Sequence, residues 1–158
     1  MKHYLKLMLG MAAIILCLTA CSSKKGSSDI TVDVNALAQE LQSETVTSDT
    51  LTASAPEMLP SIYFIESDQM KSGAAYLSSG ATACEVAVIE CADASQTGDV
   101  EKLFQTRVSN QSDLYASYAP EQVTKLDSAI ITSAGPYVVL CVCDDTDKAQ
   151  EILDSYGF

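Results

Sequence analysis

The sequence predicts an α+β domain in which a small, mostly antiparallel sheet of about four strands in two hairpins is covered by about three helices. The predicted elements run helix, two strands, long helix, two strands, helix. A short glycine-containing turn separates the strands of each pair, which favours hairpins and therefore antiparallel pairing. The predicted helices are amphipathic, so they must bury their apolar faces against the sheet.

The first helix is predicted over residues 33–44, where apolar residues recur at the spacing of one helical face and Asp33 can cap the N-terminus. Residues 45–60 are rich in Thr and Ser and contain Pro56 and Pro60, which indicates a loop with at most a short strand or turn. Residues 61–68 fit a packed loop or a short helix equally well.

The first hairpin is predicted from residues 73–78 and 82–91, with a turn at 78–81. Because side chains alternate along a strand, Cys84, Val86 and Val88 should share one face and Glu85, Ala87, Ile89 and Cys91 the other. Glu85 and Glu90 then point to opposite sides, which argues against a glycosidase-type pair of carboxylates.

The long helix is predicted over residues 99–118 and ends before Pro120. Leu103 and Phe104 lie on its apolar stripe and should be buried against the sheet. Arg107, the single arginine of the chain, lies beside this stripe. It could bind an anion or carboxylate, but an ion pair with one of the many acidic residues is the favoured interpretation. The stripe comprises Val100, Leu103, Phe104, Val108, Gln111, Leu114, Tyr115 and Tyr118.

The second hairpin is predicted from residues 129–132 and 137–143, and a final helix from 146–156 with Gly157 as its stop. Residues 137–142 are nearly all apolar, as in a central strand covered on both faces. The acidic run at 144–147 suits a helix N-terminus better than a calcium loop. An EF-hand would need Gly and Glu where the chain has Ala149 and Ser155.

Four cysteines fall within the predicted strands, and three interpretations of them stay open. Buried free thiols are favoured, since all four lie in apolar alternating runs; one or two disulfides between the hairpins, or a redox or metal role, are the alternatives. Their spacing differs from the C-x2-C pairs of zinc sites. The residues are Cys84, Cys91, Cys141 and Cys143.

Charge and histidine content exclude several function classes. Residues 29–158 hold all 21 acidic residues but only five of the nine basic ones, so their net charge is near −16. Nucleic-acid binding needs a basic footprint and is not expected. The single histidine, His3, precedes the domain, which excludes a Ser-His-Asp triad or a His-ligated metal site within it. We predict no catalytic, metal or cofactor-binding residue.

The N-terminus has the layout of a secretory signal peptide over residues 1–20, with Lys2 and Lys6 before an apolar run of about a dozen residues. That run is too short to span a bilayer. Residues 18–21 resemble the bacterial lipobox, which implies that Cys21 is lipidated and becomes the first mature residue. Residues 21–28 then form a flexible linker and residues 29–158 a single domain. We expect the membrane, reached through the lipid on Cys21, as a partner on the extracytoplasmic face.

Several segments together resemble the bacterial lipoprotein family that contains domain of unknown function 4358, over roughly residues 30–156. The resemblance implies an exported lipoprotein with one small α+β domain and no assigned activity. We therefore expect a non-catalytic binding or accessory module with an extracytoplasmic protein partner, or alternatively a small enzyme that uses carboxylates or a thiol. The matching segments are 82–90, Arg107 with Gln111, 118–120, and Gly135 with 137–140.

Overall fold

A computed structural model describes residues 30–158. In this part of the chain one antiparallel sheet holds five strands in the order β1-β2-β3-β5-β4. The strands are β1 (Thr52–Ala53), β2 (Met70–Leu77), β3 (Glu85–Cys91), β4 (Ile130–Ala134) and β5 (Tyr137–Val142). The α-helices are α1 (Val34–Thr45), α2 (Leu59–Tyr63), α3 (Thr97–Tyr118), α4 (Val123–Asp127) and α5 (Thr146–Tyr156).

The predicted class and both hairpins are confirmed, since β2 pairs with β3 and β4 with β5 in antiparallel fashion. The expected numbers of about four strands and three helices were too low. The additional elements are β1, a two-residue edge strand, and the five-residue helices α2 and α4. Such short elements leave no periodic pattern in the sequence.

Two apolar layers form on the two faces of the sheet. Val86 and Val88 of β3 pack on one face with residues of α1 and α5, among them Leu37 and Leu153. Ala87 and Ile89 pack on the other face with residues of α2, α3 and α4. The alternation predicted for β3 is therefore confirmed. As expected for residues 137–142, β5 is buried on both faces, and the structure shows the same for β3.

Helix α3 covers the second face through Val100 and Phe104, both fully buried. Leu103 was expected to be buried as well but is half-buried, and Leu114 and Tyr118 are 54% and 55% exposed. The apolar stripe of α3 is therefore wider than the surface that the sheet covers. Part of that stripe is free to line a groove.

The described chain begins beside the turn between β4 and β5. Ile30 lies so close to Gly135 that a Cβ on this glycine would come within 2.5 Å of Ile30 Cγ2. Cys91, at the end of β3, donates its N–H to Pro136 of the same turn. Glu85, at the start of β3, lies at the opposite end of the sheet, about 20 Å away for a strand of this length.

No helix within residues 30–158 has the length and apolarity needed to cross a membrane. The predicted signal peptide (1–20), the linker (21–28) and the lipidation site Cys21 lie outside the described residues.

Candidate functional site

A polar cleft of about 300 Å³ opens where β3 begins, between the β2–β3 connection and the C-terminal half of α3. Glu85 reaches it from β3, and Arg107 and Gln111 from successive turns of α3. Tyr118, at the end of α3, forms part of its wall. Three polar side chains from a strand and a helix therefore converge on one space.

Arg107 and Glu85 form a largely buried ion pair in this cleft. Arg107 Nε donates to Glu85 Oε1 at 2.7 Å, and the Tyr63 hydroxyl donates to the same oxygen at 2.7 Å. The guanidinium also lies 5.1 Å from the centre of the Tyr63 ring, a cation–π contact. The favoured interpretation of Arg107 as an ion-pairing residue is confirmed. Its partner Glu85 was not predicted.

The Glu85 carboxylate raises the pKa of both side chains that donate to it, Tyr63 and Arg107. Burial and then the Glu85 carboxylate raise the pKa of Tyr63 well above its ordinary value. Desolvation works against the charged form of Arg107, but the hydrogen bond and charge of Glu85 outweigh it and raise the Arg107 pKa. Tyr63 therefore stays a hydrogen-bond donor and Arg107 stays a cation, which fixes the orientation of the guanidinium.

Some hydrogen-bonding capacity in the cleft is not used by residues 30–158. Glu85 Oε2 accepts no hydrogen bond there, and Arg107 Nη1 donates to the Ile62 carbonyl over a long distance of 3.5 Å. Every fully occluded side-chain polar atom in this part of the chain has a partner, so Glu85 Oε2 keeps solvent contact. The Gln111 amide is likewise without a partner there. The cleft thus offers both donors and acceptors to a ligand.

The rim of the cleft is held by hydrogen bonds across the β2–β3 connection. The Asp49 carboxylate accepts from the hydroxyls of Ser78 and Thr82 at 2.5 and 2.7 Å. These two bonds lower the pKa of Asp49. The Tyr115 hydroxyl donates to the Thr82 carbonyl, which joins α3 to the same connection. The rim is therefore held by hydrogen bonds from the segment after α1 and from α3.

An apolar groove of about 370 Å³ adjoins the polar cleft, and Arg107, Gln111 and Leu114 line both. Phe64 and Leu103 form its apolar wall. Phe64 is 79% exposed and adopts the left-handed conformation, with φ of 58°, at the C-terminus of α2. This backbone conformation favours glycine and is uncommon for a bulky residue.

The four cysteines of residues 30–158 are free and buried, in line with the favoured interpretation. Lys125 Nζ donates to Cys84 Sγ at 3.1 Å and also contacts Asp144. A hydrogen bond from Cys141 lowers the pKa of Cys143 to about 7, whereas burial raises that of Cys91 to about 11. Cys143 is only 4% exposed, so access to its thiol is limited despite the lowered pKa.

Other candidate groups do not converge on the cleft. Glu90 lies at the far end of β3, where it accepts hydrogen bonds from Lys71 and Ser72, so it forms no pair with Glu85. Asp145 caps α5 by accepting from the Lys148 N–H, which agrees with the helix-terminus interpretation of the acidic run. Among residues 30–158 no three His, Cys, Asp or Glu side chains are arranged to hold a metal ion.

A family model described as domain of unknown function (DUF4358) matches residues 43–143, well over half of the chain. The chain belongs to the DUF4358 family. No curated protein and no solved structure is significantly similar to it. The part matched to DUF4358 contains all five strands and α3, and with them Glu85, Arg107 and Gln111. The polar cleft thus lies within the DUF4358 domain, whereas α5 lies outside the matched segment.

The central pair of the DUF4358 cleft was missed because its members were considered separately. Alternation placed Glu85 on the same face as Ala87 and Ile89, and periodicity placed Arg107 beside the apolar stripe of α3. Since one sheet face packs on α3, these two observations together would have suggested the contact. Tyr63 carried no such signal, because its segment could not be assigned.

Proposed function

We propose that this DUF4358 protein is a lipoprotein tethered through Cys21 at the extracytoplasmic face of the cell membrane, where its domain binds a ligand without catalysing a reaction. The tether rests on the sequence of residues 1–21, whose apolar run ends in a lipobox-like segment. The binding role rests on the cleft at the start of β3. An extracytoplasmic protein is the proposed source of the ligand.

One observation carries the binding proposal. Glu85 is 6% exposed, yet one oxygen of its carboxylate has no partner within residues 30–158 and keeps solvent contact in a cleft of about 300 Å³. An oxygen with solvent contact can exchange water for the hydrogen-bond donor of a ligand. A ligand that donates to Glu85 and accepts from Arg107 uses both groups.

The chemistry of the cleft favours binding over general acid–base catalysis. Arg107 and Tyr63 both donate to the same oxygen of Glu85, which holds the carboxylate in one orientation. The pKa values of Tyr63 and Arg107 are both raised, which keeps these two groups protonated, whereas a general acid or base needs a pKa near the working pH. The pair therefore serves as a fixed donor and acceptor for recognition.

A photocrosslinking amino acid at position 118 tests this role in cells that produce the full chain. Tyr118 lines the cleft, and its 55% exposure leaves room for the substitution. Position 151 on α5 is the matched control, because Glu151 is exposed on the opposite layer. We expect discrete adducts from position 118 and none from position 151. Equal labelling from both positions, or none from either, contradicts the binding proposal.

A thiol enzyme is the second candidate, favoured by the Cys143 pKa of about 7 and by Lys125 beside Cys84. It requires a thiol that reacts in the folded protein. Cys84, Cys141 and Cys143 are 1%, 0% and 4% exposed, which places the binding role first. Alkylation of the native protein separates the two candidates.

A further inference from the structure

We infer that the polar cleft and the apolar groove act as one binding surface for an extended peptide segment, uncharged or cationic, that places a large apolar side chain in the groove. This inference rests on the proposed binding function and names the class of ligand. It follows from the donor and acceptor groups of the cleft, the length of the surface, the conformation of Phe64 and the charge of the domain.

A peptide amide matches the donor and acceptor groups that the cleft leaves open to solvent. Arg107 presents N–H donors beyond its bond to Glu85, and Glu85 Oε2 presents an acceptor beside them. An amide carries a carbonyl acceptor and an N–H donor, so one peptide unit or two successive ones can engage both groups. Gln111 adds a further amide that can bond to backbone. An anion would satisfy Arg107 but would be repelled by Glu85.

The dimensions of the surface suit a peptide. The residues of α3 that line the cleft and the groove extend from Leu103 to Tyr118. That stretch of helix is about 22 Å long at 1.5 Å per residue. An extended chain covers this distance in about six or seven residues. Because Arg107, Gln111 and Leu114 line both cavities, the two lie side by side along α3.

Phe64 indicates what the groove receives. A phenylalanine in the left-handed region is unfavourable, and this one is 79% exposed. The Phe64 side chain therefore contributes little to the stability of the domain. Together with Leu114, which is 54% exposed, it forms two sides of a concave apolar surface. An apolar side chain inserted between them would bury both.

Charge complementarity selects among peptides. The Arg107–Glu85 pair is neutral overall, and residues 29–158 carry a net charge near −16. Acidic segments are therefore disfavoured by the field of the whole domain, whereas neutral or basic segments are attracted. Arg107 is the single charged residue that lines the groove. An apolar side chain can therefore enter the groove without desolvating a carboxylate.

The experiment uses the full chain, reconstituted in phosphatidylcholine nanodiscs and immobilised. The probe is a fluorescent library of random eight-residue peptides with acetylated N-termini and amidated C-termini, so that only internal amides and side chains are recognised. Retained peptides are quantified and sequenced. The variants are Leu114→Ser and Phe64→Ser, and Met58→Ser is the matched control. Met58 is 51% exposed and does not line the groove, and none of these three exposed positions is expected to disturb folding.

We expect the wild-type protein to enrich peptides with a large apolar residue and to select against acidic ones. Leu114→Ser and Phe64→Ser should each lower retention about tenfold, the loss expected when one apolar side chain no longer contributes to binding. Met58→Ser should retain peptides like the wild type. Enrichment that is absent, or that survives both groove substitutions, overturns the peptide inference.

Two other occupants give distinct results. Self-association that Leu114→Ser abolishes in sedimentation, without peptide enrichment, identifies a second copy of the chain and overturns the inference. Binding of the Cys21→Ala protein to phosphatidylcholine vesicles that Leu114→Ser abolishes identifies a lipid and overturns it as well. Adducts from position 118 without peptide enrichment would support the proposed binding function but overturn the peptide inference. Absence of both the adducts and the enrichment would overturn both proposals.

Discussion

The ammonium group of Lys125 lies 2.5 Å from Asp144 Oδ1 and ties α4 to the end of β5. The other oxygen of Asp144 accepts from the backbone N–H groups of Thr47 and Ser48, just after α1. One carboxylate therefore joins elements from both sides of the sheet. Both side chains are mostly buried, at 15% and 20% exposure.

Asp144→Asn should destabilise the fold by about 2 to 3 kcal/mol at pH 7, because Lys125 would lose its counter-charge in a mostly buried position. Burial opposes ionisation of Asp144, but the bonds from Lys125, Ser48 and Thr47 outweigh it and lower its pKa. Since the folded-state pKa is depressed, this stability is present above the unfolded value of ~3.9 and is lost as pH falls through the folded value. Urea denaturation should show a difference between wild type and variant that shrinks from pH 7 towards pH 3. A constant difference would contradict the charge argument.

Phe104→Ala should cost about 3 to 5 kcal/mol, since this fully buried ring packs at 5.1 Å, edge to face, on Tyr63. Lys102→Ala, two residues away on the solvent side of α3, should cost under about 0.5 kcal/mol. Chemical denaturation of the two variants provides the comparison. Similar small losses would mean that α3 presents a different face to the sheet.

Gly135→Ala should destabilise the protein by at least about 1 to 2 kcal/mol. Gly135 has a φ of +55°, and a Cβ there would come within 2.5 Å of Ile30. Gly98→Ala is the opposite case, since a Cβ at this helical position meets no atom within 4 Å. It should stabilise by up to about 1 kcal/mol. Thermal melting of both variants checks the pair, and equal shifts would refute the conformational explanation.

The cysteines should react slowly with iodoacetamide in the folded protein and fast after denaturation. Burial limits access to all four, and it raises the pKa of Cys91 to about 11. Thiol counting in native buffer and in guanidinium measures this. Fast native labelling that Cys143→Ser removes would favour the thiol enzyme instead.

Cys21→Ala should abolish incorporation of labelled fatty acid and release the protein from the membrane fraction. Two acyl chains on one cysteine suffice for stable anchoring, whereas the apolar run of residues 7–18 is too short to span a bilayer. Ser22→Ala, beside the proposed lipidation site, is the control and should leave both properties unchanged. Retention of a labelled Cys21→Ala protein would refute the tether.

Local signals predicted most of the fold, and elements without such signals were missed. The turn at Gly135 and the stop at Gly157 are both occupied by glycines with positive φ, so the second hairpin and α5 were found close to their true bounds. Helices α2 and α4 span five residues each, fewer than two turns, and give no period. Their positions depend on packing against α3, which a linear pattern does not contain.

The cleft was harder to predict than the fold, because it depends on how α3 crosses the sheet. Periodicity identified the face of α3 but not which residue of the sheet lies under Arg107. Leu103 was expected to be buried because it lies on the apolar stripe, but it lines the groove together with Leu114, another residue of the stripe. Apolar periodicity does not distinguish a residue that packs inside the protein from one that lines an exposed apolar groove.

The chain enters the domain beside Gly135, at the pole of the sheet opposite Glu85. An anchor upstream of Ile30 would therefore be attached at the end of the sheet opposite the cleft. In that arrangement the anchor does not block the cleft, and a ligand could reach the cleft from outside the bilayer. The first described residue and the polar cleft thus lie at opposite ends of β3.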